Sequence, residues 1–229
     1  MDISKKNARI AGVLYLLVGI FGGFSEGFVD PKMYVAGNAA LSASNVISNS
    51  QLVRMGVVAH LLDGTFFVFF AMMLYGILQH INKSVARAML ILVVLATGII
   101  CLNAVFQFEA LQIVTGAVNL NSLGHAGSNA LVLLLLDTQH FGTLIAQVFF
   151  GLWLIPLGYL AYKSLGLFPK WLGIVLIVGG VCYIVDLLSA FLLPSFNQNI
   201  YTLIVIPSAI AEISMVLYLL VVGVRTKKA

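Results

Sequence analysis

Two histidine–aspartate pairs, His60-x-x-Asp63 and Asp137-x-x-His140, carry the most explicit chemistry in this chain. A separation of three puts both members of a pair on one helix face, one turn apart. An imidazole beside a carboxylate can ligate zinc or iron, share a proton, or simply satisfy a neighbouring helix by hydrogen bonding. A metal site would gather His60, Asp63, His140 and Asp186 around a divalent ion. A relay would need a chain of further protonatable groups. The bonding reading needs neither, and all three stand open at this level.

Other polar residues recur at helical spacing in apolar surroundings. Asp137, His140, Thr143, Gln147, Gly151, Leu154 and Gly158 form one polar and small-residue stripe. Asn103 and Gln107 share a face, as do Tyr183 with Asp186, and Ser208 with Glu212 and Tyr201. Tyr15, Gly19, Gly22 and Glu26 line another. A carboxylate within an apolar helix is costly, so Asp186 and Glu212 are expected either to mark a site or to be bonded structurally. The candidate cavity set is His60, Asp63, Gln107, Asp137, His140, Gln147, Asp186 and Glu212. His60 precedes Phe69-Phe70 and His140 precedes Phe149-Phe150 at the same spacing, which suggests two related hairpins.

The elements that must position these groups follow from composition. The chain has 229 residues, 61% of them hydrophobic and only 9% charged. Soluble domains carry roughly a quarter charged residues, so lipid is the expected solvent. Spans need about 20 apolar residues each. Six stretches qualify, about 8–29, 52–78, 86–114, 140–162, 171–193 and 201–224, in a single integral membrane domain. The predicted class is all-α, a polytopic bundle of six transmembrane helices. Asp30-Pro31, Asn82-Lys83-Ser84, the 119–129 run, Phe168-Pro169-Lys170 and the 194–199 run punctuate it. The outer segment 31–51 is expected to hold a short surface helix. The stretch Leu131–Leu136 is too short to span, and is expected to lie at the outer interface or plug the bundle mouth.

Charge placement orients the bundle. Ten of the twelve Lys and Arg flank one set of span ends, leaving only Lys32 and Arg54 on the other side. The positive-inside rule then puts both termini in the cytoplasm, which requires an even number of spans. Seven of eight acids, Glu26, Asp30, Asp63, Glu109, Asp137, Asp186 and Glu212, belong to the outer half, whose two cations leave it at −5. Such an excess must be protonated, paired or neutralised by a bound cation. Arg54 is expected to anchor at the interface or pair with Glu109. The basic residues flank spans, so nucleic acid is not an expected partner. Cys101 and Cys182 both lie inside apolar runs and read as packing residues. The basic opening with its long apolar run reads as a retained first span.

Several short motifs carry a family resemblance. They include the opening 6–15 run, Gly37-Asn38-Ala39-Ala40, Ala43-Ser44-Asn45-Val46, and Leu52-Val53-Arg54-Met55-Gly56. Phe149-Phe150-Gly151-Leu152, Leu157-Gly158-Tyr159-Leu160 and Phe168-Pro169-Lys170-Trp171-Leu172-Gly173 follow, with Gly179-Gly180 and Tyr183. Together they resemble the uncharacterised bacterial membrane family known as domain of unknown function 4386. Asn38 stands where that pattern leads one to expect an aspartate. The resemblance implies a six-span cell-membrane protein and supplies no activity.

Four functions fit. The first is a polar cavity opening outward that binds a cation, a cationic small molecule or a lipid-like ligand. The second is a metal-dependent enzyme embedded in the membrane, with metal-bound water as nucleophile. The third is a proton- or cation-coupled transporter carried by Glu212 or Asp186. The last is an assembly subunit. A homo-oligomer is compatible with each. No nucleotide loop, dinucleotide fingerprint or nucleophile elbow is present.

Overall fold

The computed structural model describes residues 4–118 and 120–225, with the side chains of 121 and 197–202 outside that description. Asn119, Lys227, Lys228 and the Tyr201 side chain therefore lie outside the described residues. The helices are α1 Lys5–Phe24, α2 Asp30–Met33, α3 Ala39–Ser48, α4 Ser50–Leu78, α5 Lys83–Val114, α6 Gly124–Lys163, α7 Lys170–Leu192 and α8 Pro194–Val221. Among the described residues six helical stretches are long and apolar enough to cross a membrane. Backbone groups in hydrocarbon must bond within their own segment, and a helix does this unaided.

Three expected boundaries differ. Asp30-Pro31 does not end the first span. A π-turn over Ser25–Val29 joins α1 to α2, and the helical path runs on to Met33. Pro31 falls in the first turn of α2, directly after the π-turn, where it has no N–H to give to the preceding turn. Tyr34 then leaves the helix with extended backbone. Secondly, Leu131–Leu136 is not a separate segment but part of the continuous 40-residue α6. No proline interrupts it before Pro156, and leucines propagate helix well. At 1.5 Å per residue α6 is about 60 Å long, roughly twice the hydrocarbon thickness. Thirdly, Pro194 opens α8 rather than lying in a longer break.

The 31–51 segment holds a short helix, α3. Asn38 caps it, its Oδ1 accepting from Leu41 N at 3.0 Å. Asparagine and aspartate serve equally as N-caps, so this position tolerates the exchange for a local backbone reason.

The chain divides into two compact units. The first comprises 1–17, 66–97 and 145–229. In it, glycines set helix packing: Gly158 meets Gly173, and Gly151 meets Gly180, backbone against backbone. Gly12 of α1 packs on Leu219 of α8 with no room for a side chain. Tyr15, Phe67, Phe70 and Trp153 interlock, Tyr15 stacked on Phe70 at 4.1 Å between ring centres. The second unit comprises 18–65 and 98–144. Its apolar core is built from Val29, Met33, Val46, Val53, Leu111, Val132 and Leu136.

Candidate functional site

In the second unit a cluster of buried polar groups gathers around Asp30. Gln107 of α5 donates from Nε2 to Asp30 Oδ1 at 3.3 Å, and Gln139 of α6 donates from Nε2 to Oδ2 at 3.0 Å. His60 Nε2 of α4 lies 3.6 Å from Oδ2. Three helices thus turn nitrogen groups toward one carboxylate.

The π-turn explains how the carboxylate reaches them. It carries the helix through Ser25–Val29, and Ser25 Oγ donates back to Phe21 O at 2.9 Å. Glu26 and Asp30, four residues apart, both interact electrostatically with His60. Gly56 clears the space beside them, since a Cβ there would lie 2.7 Å from Val29 Cγ1 and 3.1 Å from Gln107 Nε2. Asp63, one turn after His60, is the third carboxylate that faces this imidazole. It lies beside Gly22, where a Cβ would stand in ordinary contact 3.4 Å from Oδ1. Cys101 of α5 is within electrostatic reach of Asp63.

His60 and Gln107 are essentially inaccessible, at 1% and 0% exposure. Nδ1 of His60 and Oε1 of Gln107 have no hydrogen-bond partner. Such buried orphans are rare and costly, about 1–3 kcal/mol each.

A second constellation lies where α2 gives way to the loop. Tyr34 donates from its hydroxyl to Asp137 Oδ1 at 2.7 Å, and its ring stacks on His140 with centres 5.1 Å apart. The Asp137–His140 pair thus receives an aromatic residue rather than another imidazole. His140 is exposed and His60 buried, so equal spacing from a Phe-Phe pair does not give equal surroundings. Burial and the Asp137 hydrogen bond push the Tyr34 phenol up to about 12. Its folded value exceeds the free value near 10, so the neutral phenol's contribution is complete below pH 10 and disappears as pH rises through about 12. Tyr34→Phe is therefore expected to cost about 1 kcal/mol of unfolding free energy at pH 8. That difference from wild type should shrink toward zero in alkaline melts. A gap that stays constant up to pH 12 would show the hydroxyl bond contributes nothing.

Asn103 occupies the space over Gly142 and donates from Nδ2 to Thr143 Oγ1 at 3.2 Å. Arg54 and Glu109 are both exposed. An open cleft of about 480 Å³ lies among α3, the end of α5 and the start of α6, lined by residues such as Ser44, Ile47, Ile113, His125 and Asn129. Among the described residues no acid, lysine or arginine lines it.

Of the sequence-derived set, His60, Asp63, Gln107, Asp137 and His140 fall in this unit, while Gln147, Asp186 and Glu212 belong to the other. There, Asp186 is buried at 2% exposure, and Ser189 Oγ donates to its backbone oxygen at 3.0 Å. Glu212 interacts with the Tyr15 hydroxyl, and Tyr183 faces the same phenol. Gln147 Oε1 and Trp153 Nε1 are buried without hydrogen-bond partners. Among the described residues, no three His, Cys, Asp or Glu side chains are grouped so as to hold a metal ion.

Sequence reasoning did not single out Asp30 or Gln139. The available signal was Glu26-x-x-x-Asp30-x-x-x-Tyr34, a continuous helical repeat running through the proline that was read as a stop.

Six apolar helices, with buried carboxyl, imidazole and amide groups between them, define a multi-pass α-helical membrane protein. The chain belongs to the family described as Domain of unknown function (DUF4386), whose profile matches residues 10–223. A stretch of 58 residues is 40% identical to an uncharacterized protein of Archaeoglobus fulgidus, covering 25% of this chain and 35% of that relative. The match thus spans about a third of the relative's length. No solved structure matches this chain.

Proposed function

We propose that this protein binds a small organic cation, with an ammonium head, at the Glu26–Asp30–His60–Asp63 cluster on the outer side of a cell membrane. The observation that carries the reading is that the Asp30 carboxylate stands 3.6 Å from the buried His60 imidazole, with Glu26 one turn before it in electrostatic reach of the same ring. Glu26 and Asp30 together would outweigh even a protonated His60. Burial in low dielectric favours neutralisation of that excess. An ammonium group donates hydrogen bonds to dispersed oxygens, whereas a chelated metal needs its ligands drawn together. The lack of any metal-like grouping among the described residues therefore favours the organic cation.

The test is thermal unfolding of the purified protein against primary alkylammonium ions, with tetraalkylammonium ions, which have no N–H to donate, and divalent metals in parallel. At a hundredfold excess over Kd, a ligand specific to the folded state adds about 2.7 kcal/mol. Wild type should gain this from the primary alkylammonium ions, and Glu26→Gln should lose most of the gain. Asp186→Asn, in the other compact unit, should retain it. Equal responses in wild type and Glu26→Gln would remove the proposal.

The orientation that makes this side external rests on ten cations flanking the opposite span ends. A fluorescent protein fused at the C-terminus should light up, and alkaline phosphatase inserted after Gly116 should be active. The reverse pattern would invert the topology.

A further inference from the structure

The open cleft of about 480 Å³ among α3, the end of α5 and the start of α6 shares no lining residue with the Asp30 cluster. We infer that this cleft binds an uncharged amphiphile, a small molecule with an apolar body and hydroxyl or amide groups, taken up outside the hydrocarbon. It is a site separate from the cation cluster.

The lining sets the chemistry. Ile47, Ile113, Val114 and Val132 give the cleft apolar walls. Ser44 of α3 and Ser128 and Asn129 of α6 add two hydroxyls and a carboxamide. Among the described residues, none of these three side chains is engaged in a hydrogen bond, so all can donate to and accept from an occupant. His125 is the one ionisable side chain in the described lining. With no acid, lysine or arginine there, a charged ligand would lose hydration and find no fixed counterion. Hydroxyl and amide groups would be paired instead. The volume falls within the usual range of small-molecule sites, about 300–1,000 Å³.

Local structure fixes the walls before any ligand arrives. Gly116 ends α5 in the left-handed conformation at φ 75°, and the N–H groups of Ala117 and Val118 both donate to Gln112 O, at 3.0 and 3.3 Å. Such a cap holds the chain to one path as it leaves the helix. A Cβ on Gly116 would meet nothing within 4 Å, so the space it faces is open. α3 is tied by its Asn38 cap and by Ser42 Oγ, which accepts from Val35 N at 3.0 Å. Val46 of α3 packs in one core with Leu111 of α5 and Val132 of α6. The three walls thus share one core, and the cleft between them is preformed.

Helix length places the cleft beyond the membrane interior. α5 and α6 have 32 and 40 residues, about 48 and 60 Å at 1.5 Å per residue, against about 30 Å of hydrocarbon. Lys83 and Arg87 lie at the start of α5 and Lys163 closes α6, so the positive-inside rule holds those ends at the cytoplasmic face. Both surpluses then emerge on the other side, where the cleft lies. An occupant reaches it from water rather than from the acyl chains.

The experiment titrates full-length protein in phosphatidylcholine nanodiscs by calorimetry at pH 7.5, with empty nanodiscs as the blank. Three probes share a decanamide body and differ in the head. Decanoylglycinamide is neutral, decanoylglycine is an anion, and N-(2-aminoethyl)decanamide is a cation. The neutral probe should give a saturable isotherm and bind at least about tenfold tighter than either charged one. Ser44→Trp, which brings an indole into the cleft from an exposed position, should abolish that isotherm. Asn129→Leu should weaken binding roughly threefold to tenfold, the loss of one neutral hydrogen bond. Should Ser44→Trp fail to fold, Asn129→Leu and the wild-type selectivity decide. Neutral and charged probes binding alike, or heats no larger than those of empty nanodiscs, would overturn the site. On intact cells a Ser128→Cys protein should react with a membrane-impermeant maleimide above the wild-type background of Cys101 and Cys182, and decanoylglycinamide should protect it. Labelling only after permeabilisation would overturn uptake from outside. Ammonium binding at the Asp30 cluster should survive Ser44→Trp, so the two sites stand or fall separately.

Discussion

Replacing Asp30 by asparagine is expected to lower the unfolding free energy by about 2–4 kcal/mol, the larger of the single-residue effects in the polar cluster. The carboxylate takes bonds from Gln107 and Gln139 at 3.3 and 3.0 Å and stands 3.6 Å from His60 Nε2. Asparagine keeps the shape but turns an NH2 group toward one of those donors and removes the counterion of the imidazole. Hydrogen bonds to a charged group contribute about 1.5–3 kcal/mol each, and the surviving amide acceptor can keep only part of them. For a chain of this size that loss corresponds to a fall of roughly 5–15 °C in Tm. Asp137→Asn is the comparison, because the bond it accepts from Tyr34 would keep an oxygen acceptor. Its cost should be near 1 kcal/mol. Thermal melts in one detergent compare the two directly. Equal melting of Asp30→Asn and wild type would mean that Asp30 is not a hub.

The second large effect concerns helix packing rather than charge. A Cβ on Gly158 would stand 2.6 Å from the Gly173 carbonyl oxygen and 2.7 Å from Ile177 Cγ1, and a Cβ on Gly173 would meet the Gly158 oxygen at 2.6 Å. Backbone atoms cannot step aside as a side-chain end can, so α6 and α7 would have to separate. Gly158→Ala and Gly173→Ala are each expected to cost about 1–3 kcal/mol, and Gly158→Leu to prevent the pair from forming. Gly98 provides the opposite sign, because a Cβ there meets nothing within 4 Å. Gly98→Ala in the interior of α5 should be neutral or stabilising by up to about 1 kcal/mol. Folded yield and melting temperature of the variants read out the contrast. A Gly158→Ala protein as stable as Gly98→Ala would refute the close approach.

Some of the site could be read from residue spacing and some could not. His60 and Asp63 were visible because a separation of three is a helix face whatever the neighbours are. Gln107 was visible for the same reason, through its partner Asn103. Asp30 was obscured because Asp-Pro is ordinary turn chemistry, and only the π-turn before it keeps the chain helical. A π-turn takes more residues per turn than an α-helix, so it shifts the phase of every side chain after it. The four-residue spacing of Glu26 and Asp30 is a helical signal, but a count at 3.6 residues per turn does not place the side chains that follow the π-turn. Gln139 was missed because it faces about 200° away from Asp137, off the stripe that periodicity picked out. Pairing Asp137 with Tyr34 needed a contact across 103 residues of chain.

Six apolar segments of spanning length, and hence an α-helical membrane protein, were already written into the order of residues. Lipid offers no partner for a bare backbone, so an apolar run of that length has one stable form. Which acids would become neighbours was not so written. That depends on how each helix is rotated about its own axis, on the π-turn between Glu26 and Asp30, and on glycines that admit one backbone to another. All three are settled by packing between segments distant in the chain, where local sequence has no hold.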